Sequence, residues 1–132
     1  MTFDKTINYV EFTVEDIERS KTFYGEVFSW SFKDFGPGYC EFNDGHMKGG
    51  FEKSSEVQPE GGPLVVLYGE DLSSLQSAIL AAGGTIVIDT FDFPGGQRFH
   101  FKDLDGYELV EGRLLIEGAA VTFFEAVANL EI

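Results

Sequence analysis

Arg98-Phe99-His100-Phe101-Lys102-Asp103-Leu104-Asp105-Gly106-Tyr107-Glu108-Leu109-Val110-Glu111 holds two extended runs joined through an Asp-Gly pair. Ahead of Asp103, polar Arg98, His100 and Lys102 alternate with Phe99 and Phe101. Beyond Gly106 a second extended run begins. Alternation on both sides of an Asp-Gly pair predicts a hairpin, because glycine enters positive φ without a Cβ clash. Such a strand lays its aromatic face on a core and turns its polar face to water or a ligand. The same order of extended run, Asp-Gly and extended run occurs in Tyr39-Cys40-Glu41-Phe42-Asn43-Asp44-Gly45-His46-Met47-Lys48.

Outward from these two hairpins the chain reads as a repeat. Residues 7–14 alternate as a strand, with Val10, Phe12 and Val14 on one face and Tyr9, Glu11 and Thr13 on the other. Asp16 then stands where an N-cap belongs, since its carboxylate accepts from the free N–H groups of a first helical turn. The helix it opens runs to Val27 or Phe28 and buries Ile17, Phe23, Tyr24, Val27 and Phe28. A strand over 30–35 and the pair around Asp44-Gly45 complete a first module, about residues 5–52. Residues 53–62, polar and holding Pro59 and Gly61-Gly62, read as a linker.

The pattern then restarts. Residues 64–68 form a strand, and Asp71 caps a helix carrying Leu72, Leu75, Ala78, Ile79 and Ala82. Gly83-Gly84 ends that helix, and residues 85–90 form the next strand. Glu15-Asp16-Ile17 matches Glu70-Asp71-Leu72, and Asp44-Gly45 matches Asp105-Gly106. The prediction is an α+β protein of two tandem βαβββ modules in one domain, the second over about 63–112. The tail 113–132 has no counterpart in the first module. Its apolar content predicts that it packs against something, with a helix over 121–130.

Composition narrows the function. In 132 residues, 23 acidic against 9 basic side chains leave a formal charge of −14. Such a field repels phosphate backbones and anionic membranes, so nucleic acid and membrane are not expected partners. A cationic or neutral small molecule is favoured instead. No apolar run approaches the roughly 20 residues of a membrane span, and the N-terminus lacks the features of a secretory signal. The lone Cys40 cannot form an internal disulfide, and a cytoplasmic setting is expected.

Val14-Glu15-Asp16-Ile17-Glu18-Arg19-Ser20, with Phe23-Tyr24 and Val27-Phe28-Ser29-Trp30, resembles the opening module of the vicinal oxygen chelate superfamily. That superfamily holds lactoylglutathione lyase, bleomycin-resistance proteins and extradiol dioxygenases. Phe101-Lys102-Asp103-Leu104-Asp105-Gly106-Tyr107-Glu108-Leu109 is similar to the sequence that closes its second module, with Leu104 where proline is usual. The resemblance covers about residues 5–112. It implies paired modules whose curved mixed sheet encloses a cleft, with the helices outside. It also implies a glyoxalase/bleomycin-resistance-like protein that binds a small organic molecule, and a homodimer.

In metal-using members an ion is held by one side chain from the first and one from the last strand of each module. Those positions fall here on Tyr9, Gly49, Leu64 and Val110. They include neither the imidazole nor the carboxylate by which such ions are bound, so no metal and no other cofactor is expected. Strand alternation then assigns the cleft face to Tyr9, Glu11, Thr13, Met47, Leu64, Val66, Tyr68, Arg98, His100, Glu108 and Val110. Glu41, His100 and Glu108 are the candidate acid–base groups. Cys40 is expected to pack as a small hydrophobe, and Glu111 to face away from Val110.

The function expected is binding of a small organic molecule in a metal-free cleft. One alternative is a lyase or isomerase acting on a small carbonyl or thiol compound by acid–base chemistry. The other is a dimeric adaptor making contact through its tail.

Overall fold

The computed structural model describes residues 4–114. Among the described residues eight strands form two mixed four-stranded sheets, accompanied by two helices, an α+β architecture with no closed barrel. The described chain divides into two compact units between Gln58 and Pro59, inside the stretch read as a linker. Each unit has the order βαβββ. The expected tail helix lies outside the described residues.

The first unit runs β1 (Tyr9–Val14), α1 (Ile17–Phe28), β2 (Ser31–Asp34), β3 (Tyr39–Asn43) and β4 (Lys48–Lys53). Its sheet has the order β1-β4-β3-β2, with β1 and β4 parallel and the other pairs antiparallel. The crossover through α1 is what allows two strands of one short module to run parallel. Asp16 caps α1 by accepting from the Arg19 N–H at 3.1 Å. Ser29, at φ 60°, closes the helix in the left-handed region. Ile17, Ser20, Phe23 and Tyr24 are the buried residues of α1. Tyr24 stacks on Trp30 at 4.7 Å and meets Phe51 at 5.4 Å, while Trp30 stacks on Phe42 at 4.6 Å. The core of this unit is therefore aromatic, between α1 and one face of the sheet.

The second unit runs β5 (Val65–Tyr68), α2 (Leu72–Ala81), β6 (Thr85–Phe93), β7 (Gly96–Lys102) and β8 (Glu108–Leu114), in the sheet order β5-β8-β7-β6. Asp71 caps α2 through the Ser74 N–H at 3.1 Å, and Gly83 follows the helix at φ 95°. Phe99, Phe101, Leu109, Leu72 and Ile79 form the core. Strand β6 is three residues longer than expected from the sequence and carries two register shifts, between Ile86 and Ile88 and between Ile88 and Phe91. The alternation that marks a strand is broken at such bulges, which is why the sequence pattern stops short. Strand β8 likewise continues past residue 112, where the module was expected to end.

The caps give a direct test of the repeat. Replacing Asp16 or Asp71 by Ala is expected to lower stability by about 1 kcal/mol each in urea denaturation, with Asn at either position largely retaining it. A loss at only one of the two sites would mean the paired helices are not capped alike.

Candidate functional site

In the first sheet, register fixes what lies on the face away from α1. Tyr9 pairs with Lys48, Glu11 with Gly50 and Thr13 with Glu52, while Glu41 pairs with Gly50 and Tyr39 with Glu52. Tyr9, Glu11, Thr13, Tyr39 and Glu41 thus share a face. Val10, Phe12, Cys40 and Phe42 take the other. Cys40 is fully buried there, and burial pushes its thiol up to about 11.

Gly49 does not share the face of Tyr9. It pairs with Val10 and Phe42, and a Cβ on it would meet the Phe42 ring and the Val10 carbonyl. Gly50 occupies the place opposite Glu11. The expectation placed on Gly49 fails because the glycine holds a different place in each turn. His46 and Met47 separate Gly45 from β4, which opens at Lys48, but only Tyr107 separates Gly106 from β8, which opens at Glu108. Matching glycine to glycine across the repeat, Gly45 (φ 94°) to Gly106 (φ 92°), therefore misses one residue ahead of β4 and shifts the register by one.

Asp44 and Asp103 are the true counterparts. Asp44 Oδ1 accepts from the N–H groups of His46 and Met47 (2.8 and 2.6 Å). Asp103 Oδ1 accepts from those of Asp105 and Tyr107 (3.0 and 2.9 Å). Each aspartate organises its turn in the manner of a backbone carbonyl.

Three polar side chains are linked on this face. Tyr39 donates its hydroxyl to Glu11 Oε1 at 2.9 Å, and the Tyr9 and Tyr39 hydroxyls lie 2.6 Å apart. Desolvation first, then the Tyr9 and Glu11 contacts, hold the Tyr39 phenol well above its ordinary value. The chain sits over Gly50, where a Cβ would collide with the Tyr39 hydroxyl. Tyr39 was not among the candidates from sequence, although its alternation with Glu41 would have placed it there. Beside this chain lies a hollow of about 700 Å³ lined by Ile7, Tyr9, Glu41, His46, Met47 and Lys48, among others. Lys48 Nζ approaches Glu41 Oε1 at 3.9 Å across its rim. Met47 itself lies in the turn ahead of β4.

In the second sheet, His100 pairs with Val110, Arg98 with Gly112 and Lys102 with Glu108, while Val66 pairs with Val110 and Tyr68 with Gly112. Arg98, His100, Glu108 and Val110 therefore share a face with Val66 and Tyr68, opposite Phe99, Phe101 and Leu109. Leu64, just ahead of β5, is exposed, as are Val66 and Tyr68. His100 and Val110, in contrast, are buried at 6% and 0% exposure, so the polar face of β7 is not uniformly wet.

His100 Nδ1 lies 2.8 Å from Glu108 Oε2. A carboxylate can only accept, so Nδ1–H donates and the neutral ring keeps its lone pair on Nε2. The Phe91 ring stacks on the imidazole at 6.0 Å, and the Arg98 guanidinium lies over Phe91 and Phe93 (5.5 and 5.7 Å). Phe91 reaches this face because the bulges of β6 turn it there, a placement hidden from simple alternation. Glu108 also borders a hollow of about 320 Å³ with Leu64, Lys102 and the Pro59 to Pro63 turn.

Glu111 lies on the opposite face from Val110, as expected, but among apolar neighbours. It is 1% exposed, its Oε2 has no hydrogen-bond partner, and desolvation pushes its carboxyl up to about 8.

Glu41 belongs to the first sheet and His100 and Glu108 to the second, and only the latter two are joined by a hydrogen bond. Among the described residues no three His, Cys, Asp or Glu side chains are grouped so as to hold an ion. At the positions where metal-using relatives place their ligands, Val110 and Leu64 offer only hydrocarbon. The Tyr9 hydroxyl is engaged by Tyr39, and Gly50 lies beneath that same hydroxyl. These residues do not match a donor set of imidazole and carboxylate.

Comparison with known proteins places the fold. A model of the glyoxalase/bleomycin resistance protein/dioxygenase superfamily matches residues 6–110. No curated protein matches the sequence significantly. Among solved structures, a glyoxalase/bleomycin resistance protein/dioxygenase family enzyme from Burkholderia phytofirmans PsJN aligns with TM-score 0.73 at 18% identity, over 82% of this chain and 98% of its own. A glyoxalase-related enzyme from Fulvimarina pelagi aligns with TM-score 0.71 at 20% identity, over 90% and 98%. The fosfomycin resistance protein FosX from Listeria monocytogenes aligns with TM-score 0.74 at 12% identity, over 86% and 96%. At such identities the likeness is one of fold. With the family match spanning both βαβββ units, this chain belongs to the glyoxalase/bleomycin resistance protein/dioxygenase superfamily.

Proposed function

We propose that this protein binds a small organic molecule, cationic or neutral, on the sheet faces turned away from its helices, without a metal ion. The observation that carries the reading is the composition of those faces. Exposed Tyr9, Leu64, Val66 and Tyr68 stand beside polar groups already oriented by partners, Tyr9 and Glu11 through Tyr39 and His100 through Glu108. Apolar contact with a few fixed polar groups is the usual make-up of a small-molecule site. The residues at the family's ligand positions favour a site without an ion, because hydrocarbon at Leu64 and Val110 cannot replace imidazole or carboxylate. The charge of −14 favours cations over anions.

A thermal-shift screen of cationic, neutral and anionic metabolites and antibiotics tests this. Stabilisation by cationic or neutral compounds is expected, and for cations it should weaken as salt shortens the screening length to about 8 Å at physiological ionic strength. Stabilisation by anions alone would contradict it.

The second reading, a lyase or isomerase, is favoured by one observation. His100 is buried, held by Glu108 at Nδ1, and keeps Nε2 for proton transfer. Turnover of a small carbonyl or thiol compound, lost in His100→Gln and reduced in Glu108→Gln, would establish it. A homodimer in the cytoplasm completes the proposal. Light scattering should give about twice 14.6 kDa, and a monomer at micromolar concentration would remove the dimer. The residues from which an adaptor role was expected, beyond 114, lie outside those described.

A further inference from the structure

Tyr39 has one hydroxyl hydrogen, and it goes to Glu11 Oε1 at 2.9 Å. A carboxylate oxygen has none to return. In the 2.6 Å contact between the two phenols, Tyr9 must therefore be the donor. With its single hydrogen committed to Tyr39, the Tyr9 oxygen meets everything else as an acceptor only. Tyr9 is also the member of the chain at the hollow lined by Glu41 and Met47, and it is 36% exposed. We infer that this hollow takes a small molecule through an N–H donor, an ammonium or amine, received by the Tyr9 oxygen, and that Tyr39 enforces the choice by fixing the direction of the hydrogen bonds.

The inference rests on the ligand-binding reading above and names the chemical class for the first unit. Glu41, on the lining, favours the same cationic donors, while the exposed Lys48 opposes them only weakly across the rim. Tyr39 is a positioning residue, because it acts through Tyr9. Gly50 is part of the device: only a residue without Cβ leaves room for the Tyr39 hydroxyl above it.

Two probes of equal charge separate donor recognition from simple attraction of a cation. Benzylamine, protonated at neutral pH, carries N–H donors, and benzyltrimethylammonium carries none. Each is titrated into the full chain while the ring resonances of Tyr9 and Tyr39 are followed by NMR. Benzylamine is expected to shift Tyr9 and to bind about fivefold tighter, the worth of one hydrogen bond. In Tyr39→Phe the Tyr9 hydroxyl keeps its lone pairs but becomes free to donate, so the neutral, acceptor-only probe acetophenone, which should leave Tyr9 unshifted in the unmodified protein, should now shift it. Gly50→Ala, which displaces the Tyr39 hydroxyl while keeping the phenol, should admit it likewise.

Equal affinity of the two probes at Tyr9 in the unmodified protein would overturn the donor selection and leave ligand binding at this face standing. Acetophenone that shifts Tyr9 to the same extent in the unmodified protein and in Tyr39→Phe, or in neither, would remove Tyr39 from the device and overturn the inference in that form. Shifts confined to His100 and its neighbours, or no shift of Tyr9 by either probe, would overturn the site itself.

Discussion

Between pH 5 and pH 8 the stability of the unmodified protein should fall by about 3 kcal/mol relative to Glu111→Gln. Glu111 is buried, with its carboxyl against Gly69 and its Oε2 without a partner. Desolvation raises its folded value from 4.5 to about 8. The sign follows from where the proton sits. Over this window the folded chain keeps the proton and the unfolded chain has released it, so raising pH favours unfolding. The contribution is fully present below the unfolded value and has been lost by the time pH passes the folded one. Glutamine keeps the shape of the protonated acid but cannot titrate, so the difference between the two stability curves isolates this group. Glu111→Leu should be more stable than the unmodified protein at pH 8, since it removes the cost of an ionisable group in an apolar place. A difference curve flat from pH 5 to pH 8 would show that Glu111 is solvated or paired.

Gly49→Ala is expected to cost about 2–3 kcal/mol, the upper range for overpacking a well-filled core. The added methyl would meet the Val10 carbonyl, which is backbone in a paired strand and cannot step aside, and the Phe42 ring behind it. Gly50→Ala, one residue on, meets the far ends of the Tyr39 and Tyr9 side chains, which can swing, and should cost under about 1 kcal/mol. Urea denaturation of the two variants reads the register of β4 directly. A reversed order of cost would mean that Gly49, and not Gly50, shares a face with Tyr9.

That pair of glycines also marks where the sequence could be read and where it could not. Alternation along β1, β3, β7 and β8 was legible because each has one apolar face, and the helices were legible from Asp16 and Asp71 as well as from their apolar stripes. Side-chain faces in the hairpin of β7 and β8 followed. The slip at Gly49 arose because a turn can absorb one residue and keep its glycine at positive φ, so the glycine match does not carry register. Phe91 was hidden because bulges in β6 break the period that reveals strands.

His100 and Glu108 were both assigned to one face from sequence, but their hydrogen bond depends on the register of Lys102 with Glu108, which only the fold supplies. Alternation put Glu111 on the face of Leu109, but that its carboxyl would be buried there without a partner was invisible. A glutamate in a strand reads as solvent-facing unless the strand beside it and the helix above it are known.

Ligand binding by this protein is expected to need no ion. Calorimetry with a stabilising compound from the thermal-shift screen decides this, on protein freed of metal by a chelator and on the same protein with zinc, nickel, manganese or iron restored. Equal affinity and stoichiometry in all samples is the expected result. Binding lost on chelation and recovered with one stoichiometric ion would contradict it.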